Sequence, residues 1–271
     1  MSETTEIKQI ISIQKYEYSG WKSVYLSGDL NESIYPASVS KIFVGAEVLR
    51  QVEKGDIKID DLVIIKENNL ANFLESEFPY SFAPLLRVGD RKSLDELLFL
   101  MLNRSDDTAT NELIDLVTRE AININTVQFL GMTGSEITRK YCTREKEDEA
   151  YKQTSIIMTI PKHVELFFQM LHTDEIHSQF VSEKLKGYMA KETGKEQLSF
   201  LEGSYQCVYK GGYFSSIIWD KRKCVRRHYA MTVNVKGDTY SVIMFTISKS
   251  HEDVTKVIEN NLQGLCVQFL L

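Results

Sequence analysis

The sequence predicts an α+β fold in which segments from both ends of the chain form one antiparallel sheet, flanked by helices, with a mostly helical lobe between them. Strand-like patterns occur near the start of the chain and again after residue 203, whereas the apolar residues between them recur at helical spacing. The simplest fold for this pattern pairs the strands from both ends in one sheet, while the middle of the chain forms a separate helical layer. We therefore expect one domain over residues 1–271, with an α/β lobe at about 1–37 and 204–271 and a helical lobe at about 38–203.

The first predicted elements are a β-hairpin and a helix. Strand-like residues at 11–14 and 23–26 are separated by the turn-prone pair Ser19-Gly20. From Ser38 onwards the apolar residues follow helical spacing until Lys54-Gly55 supplies a stop signal. This pattern places Ser38 in the first turn of the helix.

The middle of the chain carries further helix signals. Ser93 to Glu96 form a capping-box pattern ahead of the apolar run 97–102. Residues 108–120 and 126–130 predict further short helices, and Pro161 is well placed to open another one.

The last third of the chain returns to strand patterns. Residues 206–210, 229–235 and 240–247 predict three adjacent antiparallel strands. A helix-cap pattern at 250–253 precedes an apolar stripe that extends to Phe269, which predicts a final helix packed on the sheet.

Composition excludes several classes of function. The net charge of -6 disfavours nucleic acid as a partner, and no apolar run is long enough to cross a bilayer, so we expect a small-molecule partner and no membrane contact. No C-x-x-C pair and no metal-ligand spacing of histidines occurs, which predicts neither a metal site nor a cofactor. We expect buried or reduced thiols at all four cysteines, which are Cys142, Cys207, Cys224 and Cys266.

The N-terminal residues bear on localisation. They are acidic and lack the basic stretch and apolar core of a secretory signal. If Met1 is native, this predicts a cytoplasmic protein. If a start methionine has replaced a cleaved signal, a periplasmic or secreted protein fits equally well. The sequence predicts no oligomeric state.

A serine and a lysine stand three residues apart at the start of the first predicted helix. In Ser38-Val39-Ser40-Lys41, both side chains project from one helix face. A serine hydroxyl becomes a good nucleophile only when a neighbouring base removes its proton, and a lysine performs this role when its environment favours the neutral amine. The spacing therefore suggests nucleophilic catalysis, although alone it also fits an ordinary helix start.

Two further triplets follow in order, Ser105-Asp106-Asp107 after an apolar helix and Lys210-Gly211-Gly212 at the end of a strand pattern. Together with Ser38–Lys41, this arrangement resembles the class A β-lactamases and penicillin-binding proteins, whose signatures are S-x-x-K, S-D-N and K-T-G. The flanks at 35–41 and 105–113 resemble the same family. The resemblance implies a β-lactamase-like fold.

The resemblance also implies a role for each matching residue. Ser38 would be acylated, Lys41 would act as general base, and Ser105 would relay a proton to the leaving nitrogen. Lys210 would add positive charge and hold a substrate carboxylate. The backbone N–H groups of Ser38 and Tyr213 would form the oxyanion hole.

Two of the triplets depart from the family pattern. Asp107 stands where the family has Asn, and an ionised Asp only accepts hydrogen bonds. Gly211 stands where the family has a Thr or Ser whose hydroxyl helps to bind the substrate, whereas Gly212 matches the family's glycine. The hydroxyl contact is therefore missing unless Ser215 or Ser216 replaces it. We expect these positions to alter substrate preference.

The group that would activate water for deacylation is also altered. Where the resemblance implies a Glu, the chain has Arg144, with Glu145 displaced by one position and Asp148 roughly where an Asn belongs. Glu145 is the candidate deacylation base, with Glu147 as a substitute, while the whole run 144–149 also reads as a solvated charge cluster. Without such a base, the acyl ester would persist.

One basic cluster, at 221–227, lies beside a predicted turn. A solvated hairpin explains it. The family that the chain resembles often has an Arg on the neighbouring strand that binds the substrate carboxylate, so the resemblance implies this role for Arg226 or Arg227 as an alternative. Nucleic-acid binding is a third interpretation.

Three functions remain open on these grounds. The first is a serine hydrolase that forms an acyl-enzyme on Ser38 with a β-lactam or a D-Ala-D-Ala-type amide. The second is a binding protein that kept the fold and lost turnover. The third is an intracellular serine amidase or esterase with another substrate.

Overall fold

A computed structural model describes most of the chain, namely residues 6–18, 20–71, 86–141, 144–192, 206–217, 223–250 and 255–270. The chain divides into two compact units. The sheet unit comprises Met1–Val39, Ile160–Thr173 and Met189–Leu271, and the helical unit comprises Ser40–Thr159 and Asp174–Tyr188. The predicted α+β class is confirmed.

The elements in chain order are as follows. The strands are β1 (Glu6–Glu17), β2 (Gly20–Ser27), β3 (Leu62–Ile64), β4 (Arg91–Ser93), β5 (Ala190–Glu192), β6 (Gln206–Ile217), β7 (Lys223–Val235) and β8 (Asp238–Ser250). The α-helices are α1 (Lys41–Lys54), α2 (Leu94–Leu102), α3 (Asp107–Val117), α4 (Arg119–Ala121), α5 (Pro161–His172), α6 (Gln179–Met189) and α7 (Thr255–Leu270). None of the described helices is both long enough and apolar enough to span a membrane.

The sheet unit is built on six strands in the order β2-β1-β8-β7-β6-β5. The N-terminal hairpin and the three adjacent C-terminal strands are antiparallel, as predicted. The two sets join through β1 and β8, which pair antiparallel from Glu6 opposite Lys249 onwards. Both ends of the sequence therefore contribute to one sheet.

Helix α7 covers one face of this sheet. Its residues Ile258 and Leu262 are fully buried and pack with side chains that β7 and β8 direct to the same face, such as Met231 and Met244. The spacing of four residues on the helix and two on the strands matches the two periodicities that the sequence shows. The predicted packing of the last helix on the sheet is confirmed.

Helix α5 belongs to a different lobe from the one that the sequence predicts. Residues 160–173, expected in the helical lobe at 38–203, belong to the sheet unit, where α5 contacts β7 and β8. Phe167 and Phe168 of this helix are fully buried. Helical spacing identifies an apolar face but not the element that covers it, so the assignment to a lobe could not follow from the pattern.

In the helical unit, the signals at helix ends are confirmed. Ser93 and Glu96 form the capping box at the start of α2. Gly55 ends α1 in the left-handed conformation, with φ of 79°, and donates its backbone N–H to Val52. A glycine suits this position because it adopts positive φ without steric cost.

Two helix predictions differ in detail. Ser38 lies in a 3-10 turn, Ala37–Ser40, and α1 begins only at Lys41. The helix expected at 126–130 is a π-helical stretch at Ile122–Gln128. Apolar spacing indicates which face is buried, whereas the hydrogen-bond register that separates these helix types leaves little trace in a sequence.

Candidate active site

The predicted site residues are divided between the two units. The sheet unit contains Ser38, Lys210, Gly211, Gly212 and Tyr213. The helical unit contains Lys41, Ser105, Asp107 and Glu145. The two sets are described in turn.

The segment that carries Ser38 is held in a strained conformation. Ala37, directly before Ser38, has a positive φ of 48° and is buried. Such a conformation costs a residue with a Cβ about 1–3 kcal/mol and persists only where its surroundings impose it. The backbone carbonyl of Tyr35 accepts a hydrogen bond from His228 Nε2 over 3.0 Å, which fixes the start of this segment to the sheet.

His228 is a buried neutral side chain in this arrangement. Its Nδ1 accepts the backbone N–H of Thr246 over 3.3 Å, and its ring stacks on Phe245 with centroids 4.5 Å apart. Burial lowers the pKa of His228 to about 3. One ring nitrogen donates and the other accepts, so these two bonds require the neutral imidazole. The sequence analysis did not identify His228, whose only signal is a histidine within a strand pattern.

Gly212 approaches the nucleophile segment closely. A Cβ built on Gly212 would lie 2.7 Å from the carbonyl oxygen of Pro36 and 3.2 Å from the backbone nitrogen of Ser38. Only a glycine allows this approach. The structure therefore brings together Ser38 and the Gly212-Tyr213 part of β6.

The same stretch of β6 lies at the edge of the sheet. Strand β5 pairs only with residues 206–208, so from Tyr209 onwards β7 is the only described strand beside β6. An extended substrate can align its backbone with such an edge.

Gly211 faces the opposite side of β6, where Tyr209 covers it. A Cβ on Gly211 would lie 1.9 Å from Tyr209 Oη and 2.7 Å from its Cζ. Burial raises the pKa of the Tyr209 hydroxyl, which has no hydrogen-bond partner among the described residues. The tyrosine thus occupies the space into which a Thr or Ser side chain would project. The side chains of Ser215 and Ser216, the suggested replacements, lie outside the described residues.

Arg226 and Arg227 point to opposite faces of β7 because neighbouring strand residues alternate. Arg227 Nε donates to Tyr229 Oη over 2.8 Å, and its guanidinium lies 3.7 Å from Glu259 of α7. Arg226 lies over the rings of Tyr35 and Phe214 on the other face.

In the helical unit, Lys41 is completely buried and its ammonium has oxygen partners. Nζ donates to the Ser105 carbonyl over 2.6 Å and lies 3.4 Å from Ser105 Oγ. It also forms an ion pair with Asp107. A buried charge needs such partners. The structure therefore brings together Lys41, Ser105 and Asp107.

Ser105 itself is conformationally strained, with a positive φ of 63°. The next residue, Asp106, caps α3 by accepting the backbone N–H of Ala109 over 2.7 Å. Burial raises the pKa of Asp106. The cap and the strained serine set the direction in which the start of α3 presents Asp107.

Tyr141 completes the surroundings of Lys41. The Lys41 ammonium lies 4.9 Å from the Tyr141 ring centroid, and the Tyr141 hydroxyl is 2.5 Å from Ser40 Oγ. Asn111 anchors this tyrosine by accepting its backbone N–H over 2.7 Å and donating to its carbonyl over 3.1 Å. Tyr141 was missed by the sequence analysis, since no motif marks it.

The two acidic candidates for deacylation occupy different environments. Glu145 is exposed in the 3-10 turn Arg144–Lys146. Glu147 is fully buried, pairs with Arg119 over 2.5 Å and accepts the backbone N–H of Lys140. The reading of 144–149 as a uniformly solvated cluster is therefore wrong at Glu147. The reason is a buried cation contributed by a distant part of the chain.

Residues 11–261 match the model of the family described as the β-lactamase enzyme family. A β-lactamase from Sphaerobacter thermophilus has 20% identity and a TM-score of 0.74, covering 98% of this chain and 92% of that one. The protein PBP-A has 16% identity and a TM-score of 0.74, with coverages of 98% and 91%. A variant of PBP-A, described as an acyl-enzyme complex with penicillin G, has a TM-score of 0.72, 16% identity and coverages of 97% and 89%. The comparison with curated proteins found no match.

Proposed function

Because the chain belongs to the β-lactamase enzyme family, we propose that it is a serine hydrolase that forms an acyl-enzyme on Ser38. The observation that carries this proposal is the close approach of Gly212 to the Ser38 backbone. It supports an oxyanion site between the backbone N–H groups of Ser38 and Tyr213. Donors of this kind are typically worth about 10²–10³ in rate each.

The proposed acylation assigns one step to each side chain. Lys41 first gives up the proton that it shares with Asp107, and the neutral amine then takes the proton of Ser38 Oγ while Oγ attacks the substrate carbonyl carbon. Ser105 passes its proton to the leaving nitrogen as the carbon–nitrogen bond breaks, and takes in its place the proton that Lys41 removed from Ser38. The contacts of Lys41 with Ser105 and Asp107 support these roles, because a catalytic amine must be held in position.

We propose that the substrate is a β-lactam or a D-Ala-D-Ala-type amide. Lys210 supplies positive charge on β6, and the edge of β6 that follows it can align with an extended amide. Two departures favour a second candidate, a serine amidase or esterase with another substrate. These are the carboxylate of Asp107 beside Lys41, and the space next to Gly211 that Tyr209 fills.

Deacylation is proposed to be slow. Of the two acidic candidates, Glu147 is engaged with Arg119, which leaves Glu145 to activate water. An exposed carboxylate is poorly placed to hold one water in a fixed direction. The acyl ester on Ser38 would then persist, as in a penicillin-binding protein.

A single time course tests this function. The protein is incubated with a chromogenic β-lactam while intact mass and chromophore loss are followed together, with Ser38→Ala as the control. A persistent adduct that is absent from Ser38→Ala supports the proposal, including slow deacylation. Steady hydrolysis that Glu145→Gln abolishes supports acylation but contradicts slow deacylation. If neither an adduct nor hydrolysis is observed, a β-lactam substrate is ruled out and the second candidate is favoured.

A further inference from the structure

The face of β6 that meets the nucleophile segment carries residues of distinct character. Lys210, Gly212 and Phe214 alternate along the strand and share this face. On β7, Arg226 pairs with Phe214 and His228 pairs with Gly212, and directly paired residues of antiparallel strands point the same way. Gly212 therefore lies between Lys210 on one side and Arg226 on the other.

Within the described part of the chain, aromatic rings rather than acids contact Arg226. Its guanidinium lies 5.5 Å from the Tyr35 ring centroid and 5.7 Å from that of Phe214. The two rings meet edge to face with centroids 5.4 Å apart. Contacts of this kind orient a cation without neutralising its charge.

The hydrogen-bonding capacity of Arg226 is not used by the described part of the chain. Among the described residues, its buried Nε has no hydrogen-bond partner and no carboxylate forms an ion pair with the guanidinium. A partly buried arginine is normally paired, because removing the charge from water is costly. A guanidinium in this state is suited to an external acceptor.

The neighbouring groups do not compete for that acceptor. His228 on the same face is neutral, since both ring nitrogens are used and burial lowers its pKa to about 3. Arg227 points to the opposite face, where Tyr229 and Glu259 contact it.

We propose that Arg226, Tyr35 and Phe214 form a subsite that binds a carboxylate on the acyl part of the substrate. This inference rests on the proposed function, because it takes Ser38 as the site of acylation. Gly212 and the Ser38 backbone then face the reacting carbonyl, with Lys210 about 13 Å from Phe214 along the strand. The planar guanidinium matches a carboxylate through two parallel hydrogen bonds, and the rings contact an adjoining apolar group.

The rate of acylation tests the subsite. Two penicillins with the same nucleus are compared, one with a phenylacetyl side chain and one with an α-carboxyphenylacetyl side chain. The measured quantity is the acylation rate with the carboxylated penicillin divided by the rate with the uncarboxylated one. Both rates are followed by intact mass in the unaltered protein, Arg226→Gln and Arg226→Lys. The control Lys8→Gln removes one positive charge from an exposed position of the same unit.

The expected ratio favours the carboxylated penicillin in the unaltered protein. Arg226→Gln lowers this ratio about tenfold or more, because a hydrogen bond to a charged group is lost. Arg226→Lys lowers it less, since a lysine keeps the charge but not the paired geometry. Lys8→Gln leaves it unchanged. An unaltered ratio in Arg226→Gln overturns the subsite.

A binding measurement separates this inference from the proposed function. The melting temperature is recorded with the monoamide of phenylmalonic acid and with phenylacetamide. The first should stabilise the unaltered protein but not Arg226→Gln, and the second should stabilise neither. Stabilisation without any adduct overturns the proposed function and supports the subsite. If adducts form, the ratio of acylation rates is the same in Arg226→Gln as in the unaltered protein, and the monoamide does not stabilise the protein, the subsite alone is overturned.

Discussion

Acidification should destabilise the sheet unit through His228. Its pKa is about 3 in the folded chain, because burial penalises the charged ring, against about 6.5 in an unfolded chain. The folded pKa is the lower one, so the contribution of the neutral ring to stability is complete above about pH 6.5. That contribution is lost as the pH falls towards 3, since the unfolded chain binds the proton more tightly.

The size of this effect follows from the two pKa values. Between pH 7.5 and pH 5.0, linkage predicts a loss of about 2 kcal/mol in the free energy of unfolding from His228 alone. In His228→Gln, the side chain keeps a donor and an acceptor but has no proton to bind in this range. The unaltered protein should therefore lose about 2 kcal/mol more than His228→Gln over the same interval.

Urea unfolding followed by circular dichroism at the two pH values measures this difference. His177, whose pKa is also lowered by burial, is present in both proteins and its effect cancels. His163→Gln serves as a control, because His163 is only half-buried and its replacement should change the pH dependence less. Equal losses of stability in the unaltered protein and His228→Gln would refute the reasoning.

Three further predictions concern the site and its supports. Gly212→Ala should slow acylation about 100-fold, measured by intact mass, because its Cβ displaces the Ser38 segment, and an unchanged rate would contradict the close approach. Gly211→Ala should lower the free energy of unfolding by about 1–3 kcal/mol, but it should cost much less when it is made in the Tyr209→Leu background, and an equal cost in both backgrounds would count against the contact. Glu147→Ala should cost about 1–3 kcal/mol in urea unfolding because it removes the nearest partner of the buried Arg119, whose remaining ion pair with Asp148 is longer and more exposed, while the exposed Glu145→Ala should stay within about 0.5 kcal/mol. Similar costs at both positions would contradict the assigned burial.

The elements that the sequence predicted well are those whose signals are local. The capping box at Ser93, the stop at Gly55 and the strand that precedes Lys210 each depend on residues close in the chain. The expectation that Lys41, Ser105 and Asp107 share one site came from the family resemblance and not from a local signal, and the three residues are in contact in the structure.

The parts that could not be predicted depend on partners far apart in sequence. Glu147 appears within a charged run, and nothing near it indicates that Arg119 lies against it in the interior. Tyr141 reaches Ser40 across 101 residues of sequence. Tyr209 is only two residues from Gly211, yet its rotamer decides whether the ring covers the glycine, and a sequence pattern does not specify rotamers.

The pairing of β1 with β8 has a consequence for biosynthesis. These neighbours in the sheet come from opposite ends of the sequence, so a ribosome has released the first hairpin long before the strand that must join it has been made. Until then the edge of β1 opposite β2 remains exposed to other chains. Closure over such a long loop is entropically costly and slow, so the nascent protein depends on late assembly and is exposed to aggregation in the interval.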